Sequence, residues 1–277
     1  MTRPRHGAQR GFALLIVLWT LVLLALLGTQ LVASGRGDTQ LARNLLDAAA
    51  LESATDGAVQ QAIFAMLQPP ERRWTADGTI HIVRLGSAVV AIRLEDEAGK
   101  VNLNTAPETL LRALLIQIGE NPALAASLAA SIVDWHSAGK QPRPLGAKTP
   151  QYAAAGRHYG PPGTDFLSVD ELGLVLGMTP ALLARLRPHV TVHSDTDPDA
   201  STSDPVVAAA LGVNPRALPA SAGGLTVASV IAEAKNAGGG RFAERVVARI
   251  SARTPRHPYQ ILARERLAPG PPAAAGP

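Results

Sequence analysis

The chain has 277 residues, 47% of them hydrophobic but only 4% aromatic, with a formal net charge of +4. It contains no cysteine, which excludes disulfides, thiolate zinc sites and thiol nucleophiles. The positive charge is spread over several segments, and no Lys/Arg run is long enough to track a phosphate backbone.

The N-terminus places a short basic leader, with Arg3, Arg5 and Arg10, directly against an apolar run that starts at Phe12. From Phe12 to Ser34 there is no charged residue, and up to Leu27 the run is broken only by Thr20. At ~1.5 Å per residue, a helix of this length approaches the ~30 Å hydrocarbon core of a bilayer. The basic flank keeps the leader cytoplasmic and sends the bulk of the chain across. Three readings fit these residues. A cleaved secretory signal has a shorter apolar core and a small-residue site after it, for which Leu31-Val32-Ala33 is a passable match. A plain uncleaved anchor is the second. The third places a cut between Gly11 and Phe12, before the apolar helix.

Downstream, Leu41, Leu45, Ala48, Ala49, Val59, Ile63, Met66 and Leu67 recur at three- and four-residue steps, predicting a helix from Asp38 that Pro69-Pro70 stops. Joined to the apolar run, it makes one long helix. Alternation predicts strands over 79–85 and 88–94 around Gly86-Ser87, and again over 242–250 and 258–263. Between them, helices are expected over 107–117, 122–135, 168–176 and 179–187. Asn102, Asn104 and Thr105 supply turn and cap groups, and Pro107 sits in a first helical turn. Ser168 and Glu171 have the spacing of a capping box, and Gly177 through Pro180 link two short helices.

The Gly11–Phe12 junction resembles the class III signal of type IV pilins and type II secretion pseudopilins. Most pilins carry Glu at the fifth mature position; here it is Ile16. A bilayer carboxylate costs roughly 2.5–3.5 kcal/mol unless it is paired, and a subunit with no neighbour above it has no use for one. The elements at 96–107, 132–135, 168–172, 177–180 and 187–192 further resemble the minor pseudopilin K family, through Asn102, Asn104, Thr105, Pro107, Asp134, Trp135, Glu171 and Gly177.

The resemblance implies an α/β, pilin-like fold with a long N-terminal helix, a small antiparallel sheet and a large inserted α-helical domain. The expected division is a leader at 1–11, a spine helix at 12–68, a core from 69–95 and 236–268, an insertion at 96–235, and a disordered tail at 269–277. The resemblance also implies removal of the leader by prepilin peptidase and N-methylation of Phe12. It implies a single inner-membrane pass with the C-terminal domain in the periplasm. The implied role is non-enzymatic, at the pseudopilus tip with minor pseudopilins I and J. Two other readings are a minor pilin of a type IV filament and an anchored helix-hairpin-helix DNA receptor. Against the latter, Ile118-Gly119-Glu120-Asn121 puts a carboxylate in the hairpin, and Glu95-Asp96-Glu97 would repel phosphate. No nucleic-acid partner is therefore expected.

Related proteins often follow Asp-Trp with a carboxylate-rich calcium loop. Here no Asp or Glu stands between Asp134 and Asp165, and Lys140, Arg143, Lys148 and Arg157 occupy the segment instead. No metal or other cofactor is expected there. Asp195, Asp197 and Asp199 have calcium-loop spacing but lack the required Gly and terminal Glu, and read as an acidic linker. His189 and His193, on an extended segment, need not converge on a metal.

Overall fold

A 58-residue helix, α1 (Gln9–Met66), dominates the computed structural model. The structure describes residues 9–194, 197–202, 204–213, 226–251 and 258–268; along α1, side chains are described at Phe12, at 14–26 and from Gln40 onward. Residues 1–8 of the expected leader (1–11) and the tail at 269–277 lie outside these residues, and α1 begins at Gln9, within that leader. The two halves of α1 differ. Its described side chains from Phe12 to Leu26 are exposed, whereas from Leu51 one face is buried through Leu51, Ala58, Val59, Ala62, Ile63 and Met66. Pro69-Pro70 ends it, and the following loop satisfies carbonyls left open by the last turn. Trp74 donates its amide to Ala65 O at 3.2 Å, and the Gln68 side chain donates to Phe64 O at 3.2 Å.

The buried half of α1 lies on a five-stranded antiparallel sheet of order β1-β2-β5-β6-β7. Its strands are β1 (Asp77–Leu85), β2 (Ala88–Asp96), β5 (Thr226–Lys235), β6 (Arg241–Ile250) and β7 (Tyr259–Leu267). Gly86, at φ +59°, lets the β1–β2 hairpin turn in two residues, with Leu85 paired to Ala88. Val90, Ile92 and Leu94 on β2 meet α1, as do Ala228, Val230, Ala232 and Ala234 on β5 and Val246 and Ala248 on β6. Alanines on both sides, Ala58 and Ala62 against Ala228 and Ala232, leave room for close packing. Each large aliphatic side chain buried here contributes roughly 1.5–3 kcal/mol.

The chain leaves the sheet after β2 and re-enters it at β5, although these strands are hydrogen-bonded neighbours. The intervening residues form a second core around Leu103, Leu111, Leu114, Leu128, Ile132, Trp135, Tyr152, Phe166, Leu172 and Leu186. Its helices are α2 (Glu108–Gln117), α3 (Pro122–His136), α4 (Thr149–Ala154), α5 (Pro180–Leu186) and α6 (Pro205–Leu211). A parallel pair of short strands, β3 (Val101–Asn102) and β4 (Val190–Thr191), ties its entrance to a point near its exit.

Several expectations need correction. Residues 226–235, expected inside the helical insertion, form the central strand β5. The β-branched Val227, Val230 and Ile231 of this strand stand among alanines that hide its alternation, because three of its helix-facing core positions are Ala228, Ala232 and Ala234. The stretch expected as a helix over 168–176 is a 3-10 turn, Val169–Leu174, ended by extended Val175. Ser168 Oγ accepts from Asp170 N at 3.1 Å, but Glu171 Oε1 accepts from Leu167 N at 2.9 Å, one residue before the box partner expected. Pro107 occupies the N-cap position of α2 without a side-chain cap bond, and Thr105 is exposed. Helices α4 and α6 and the pair β3–β4 carried too little periodicity to be foreseen.

Where insertion meets sheet, Glu97 is fully buried. Its Oε1 accepts from Lys100 Nζ at 2.8 Å, Ser229 Oγ at 2.6 Å and Arg245 Nη2 at 2.7 Å. Burial by itself raises this carboxyl, but the charges of Lys100 and Arg245 and the hydrogen bonds from Lys100 and Ser229 overcome it, holding the group at about 2 against the ordinary 4.5. A depressed carboxylate stabilises the fold above its unfolded value and loses that contribution as pH falls through its folded one. Glu97→Gln should therefore cost on the order of 3 kcal/mol at pH 7. It should also flatten the acid limb of the stability curve between pH 4.5 and 2, as checked by urea unfolding at a series of pH values. An acid limb unchanged from wild type would refute this assignment.

Candidate functional site

Two features stand out as candidates, an uncovered apolar rod and a framework of polar residues inside the insertion. On the rod, Phe12, Leu15, Ile16, Trp19 and Leu23 follow helical spacing along one side, and each is at least half exposed. Thr20 does not interrupt the apolar surface, because its hydroxyl donates to Val17 O at 2.9 Å within the helix. Gly11 and Phe12 lie inside α1, and Ile16 presents an aliphatic side chain, 50% exposed, where related pilins carry a carboxylate. Among the described residues, no helix is long and apolar enough to cross a membrane. Leu41, Leu45 and Leu46 are exposed farther along the same helix.

In the insertion, Asn102 Oδ1 accepts from Asn104 N at 2.8 Å, closing an Asx turn, and its amide nitrogen donates to Ser194 O. Asn104 pairs both ways with one backbone residue: Oδ1 accepts from Phe166 N at 2.8 Å and Nδ2 donates to Phe166 O at 3.0 Å. Phe166 stacks near Trp135, at 6.1 Å between ring centroids, and Tyr152 lies at the same distance on a tilt. The Tyr152 hydroxyl accepts from Leu176 N at 2.9 Å; burial, the largest cause, pushes its phenol up to about 12. Gly177 sits at φ +89°, a conformation that favours glycine, and a Cβ there would press on the Leu128 Cδ2 methyl at 3.3 Å. Thr179 Oγ1 accepts from Leu182 N at 3.2 Å to start α5.

The structure thus brings Asn104, Trp135 and the segment 166–171 together, while Asn102 secures the exit at Ser194. These groups fix backbone positions. Asp134, fully buried, is used the same way: its Oδ2 accepts from Arg143 N at 3.0 Å.

A metal finds few candidates. His189 Nδ1 lies 2.7 Å from Asp204 Oδ2, whereas His193 lines a cavity of about 260 Å³ with Glu97, Thr191, Arg187 and Arg245. Burial lowers the His193 imidazole, as it does that of His136. Asp195 lies outside the described residues, and Asp199 Oδ1 is taken by Ser201, whose amide donates at 2.9 Å and hydroxyl at 2.7 Å. The segment around it is not merely a solvated linker, since Asp199 N donates to Ala98 O at 2.8 Å. Among the described residues, no group of three His, Asp or Glu side chains is placed to hold a metal ion.

Sequence reasoning missed Glu97 and Lys148. Glu97 carried a local signal in Lys100, three residues on, but its partners Ser229 and Arg245 are distant in sequence. Lys148 is buried, and its ammonium donates to Asp134 O, to Ser137 O at 2.6 Å and to Ser137 Oγ at 3.2 Å. No spacing rule announces that arrangement.

Comparison with known proteins gives consistent matches. Residues 89–195 match a family profile described as type II secretion system protein K. A Klebsiella pneumoniae protein described as type II secretion system protein K is 29% identical over 210 residues. That match takes in 68% of this chain and 64% of the relative, so the chain spans somewhat less than two thirds of that protein's length. The crystal structure of the GspK-GspI-GspJ complex from the enterotoxigenic Escherichia coli type 2 secretion system contains a chain that superposes with a TM-score of 0.64. That alignment covers 84% of this chain and 99% of the other at 15% identity, a likeness of fold. The fold and these matches agree in likening the chain to type II secretion system protein K, with residues 89–195 carrying the profile match.

Proposed function

We propose that the chain is a minor pseudopilin that sits at the tip of the pseudopilus, in contact with minor pseudopilins I and J, and supports export of folded proteins. The observation that carries this reading is the contrast along α1: its second half is buried against the sheet while its first half presents uncovered apolar side chains on every side. An apolar surface of that extent is stable only under an apolar cover, either acyl chains or other helices. The family match and the complex in which the structural neighbour was crystallised favour sister pseudopilins as the helices. The insertion between β2 and β5 adds bulk to the head, which favours capping over continuous stacking. The polar framework of the insertion is used to fix backbone, as Asn104 does at Phe166 and Asn102 at Ser194.

On this reading the precursor is held in the inner membrane by the run from Phe12, cut after Gly11 by prepilin peptidase and methylated at Phe12, with the head in the periplasm. In cells containing prepilin peptidase, the mature protein should have a mass that begins at Phe12 and includes one added methyl group. A mature chain that begins downstream of Val32, or one that keeps the leader, would end the pseudopilin reading. With the apolar rod retained, the full chain should co-purify with pseudopilins I and J in detergent; a chain that never does so would count against the tip position.

Ile16→Glu tests the explanation for the missing carboxylate. A lone carboxylate at this depth costs roughly 2.5–3.5 kcal/mol, so recovery of the variant in the tip complex should fall at least tenfold. Recovery and secretion at wild-type levels would show that a partner amine lies close by, and that the tip argument from Ile16 fails.

A further inference from the structure

The segment from Ser137 to Lys148 links α3 to α4 and wraps tightly around the end of α3. Gly146 packs so closely that a Cβ there would fall 2.2 Å from Asp134 Oδ2, and Leu145 adopts φ +63°. The last turn of any helix leaves carbonyls without intrahelical partners, and α3 disposes of them one by one. Val133 O accepts from Ser137 N at 3.2 Å, and Trp135 O from Gly163 N at 3.1 Å. Asp134 O accepts from the Lys148 ammonium, which also reaches Ser137 O and Ser137 Oγ.

An ammonium has three donors and no acceptor, and here three oxygens meet it. It lies beyond the C-terminal, electronegative end of α3, where positive charge is favoured, and the residue is only 5% exposed. A buried charge is tolerable when it is fully hydrogen-bonded, and this one is.

The calcium loop that the family resemblance implies does not fit these residues. Calcium takes six to eight oxygens, carboxylates prominent among them. Here residues 137–164 contain no Asp or Glu, and at Asp134 the Oδ2 accepts from Arg143 N while the buried Oδ1, which makes no hydrogen bond, faces the Arg143 guanidinium at 3.8 Å, so a single carboxylate oxygen is all the segment offers. We infer that Lys148 serves as a built-in cation that closes the 137–148 segment onto the end of α3, so that the order of this segment does not depend on a divalent ion. The same carbonyl oxygens cannot serve an ammonium and a metal together. This inference concerns the insertion alone and stands whether or not the chain caps a filament.

Hydrogen exchange followed by mass spectrometry on the purified full chain in detergent provides the test. In the wild type, peptides covering 137–148 should exchange at equal rates, within twofold, in millimolar calcium chloride and in excess EDTA. Lys148→Met, similar in length but uncharged, should speed exchange in those peptides at least tenfold in either solution, with β5 and β6 unchanged. Faster exchange of the wild-type segment on chelation would overturn the inference, as would a Lys148→Met segment exchanging at the wild-type rate. Should Lys148→Met fail to fold, the wild-type comparison still decides: equal rates sustain a metal-independent loop and a chelator effect refutes it.

Discussion

Strands β2 and β5 are paired without a register shift from Val89 with Lys235 to Asp96 with Ala228, yet residues 97–225 lie between them in sequence. Everything placed in that interval has to leave the sheet and return to it at neighbouring points. The entropy of closing so long an excursion grows only slowly with its length, so the sheet tolerates it, provided the two ends are held. Glu97 holds them. It is the first residue after β2, its amide donates to Val227 O at 2.8 Å, and its carboxylate gathers Ser229 from β5 and Arg245 from β6. The parallel pair β3–β4, the Asn102 contact to Ser194 and the bond from Asp199 N to Ala98 O brace the same neck from the insertion side. The two cores share no residues, so this neck sets how the helical body is carried by the sheet.

The helix α1 shows the opposite solution. Its first half projects from the head as a rod whose described side chains, from Phe12 to Leu26, are exposed. Its second half is fixed because Ala58 and Ala62 let the backbone approach β5 closely while Ile63 and Met66 fill the sides. A single element thus has one half that completes its own domain and one half that presents exposed apolar side chains. Substituting Thr for a hydrophobe at position 20 costs the rod little, since its hydroxyl is satisfied by the preceding turn.

Features that depend on local periodicity or on capping chemistry were readable in the sequence. The length of α1, its stop at Pro69-Pro70, the hairpin at Gly86 and the starts of α3 and α5 all follow from residues within a few positions of each other. Strand β5 was hidden because the alanines that admit the helix, Ala228, Ala232 and Ala234, interrupt the β-branched signal of Val227, Val230 and Ile231. The shift from α-helix to 3-10 turn at Val169–Leu174 was hidden for a related reason: the segment is positioned by Asn104 and Trp135 acting on Phe166, far away in sequence. Within the site, the motif Asn-Leu-Asn could be seen as turn-forming, but the partner of each amide could not. The partners are backbone groups at Phe166 and Ser194, and a backbone group leaves no mark on a sequence.

The buried carboxylates of the head also answer to pH with opposite signs. Glu97, held low by two cations, favours the folded state above the ordinary carboxylate range and loses that contribution in acid. Glu244, on the α1-facing side of β6, is raised instead: burial dominates, Arg264 opposes it, and Asp56 adds to it. A carboxyl whose folded value is raised penalises the fold increasingly as pH rises from the ordinary carboxylate value to the raised one, so mild acid relieves the contact between α1 and the sheet before it touches the neck at Glu97. Arg264 moderates the penalty by pairing with both Asp56 and Glu244, linking the outer strand β7 to the helix. The junction of insertion with sheet and the junction of helix with sheet are therefore electrostatically distinct. As pH falls, the one that carries the helical body is the one that weakens.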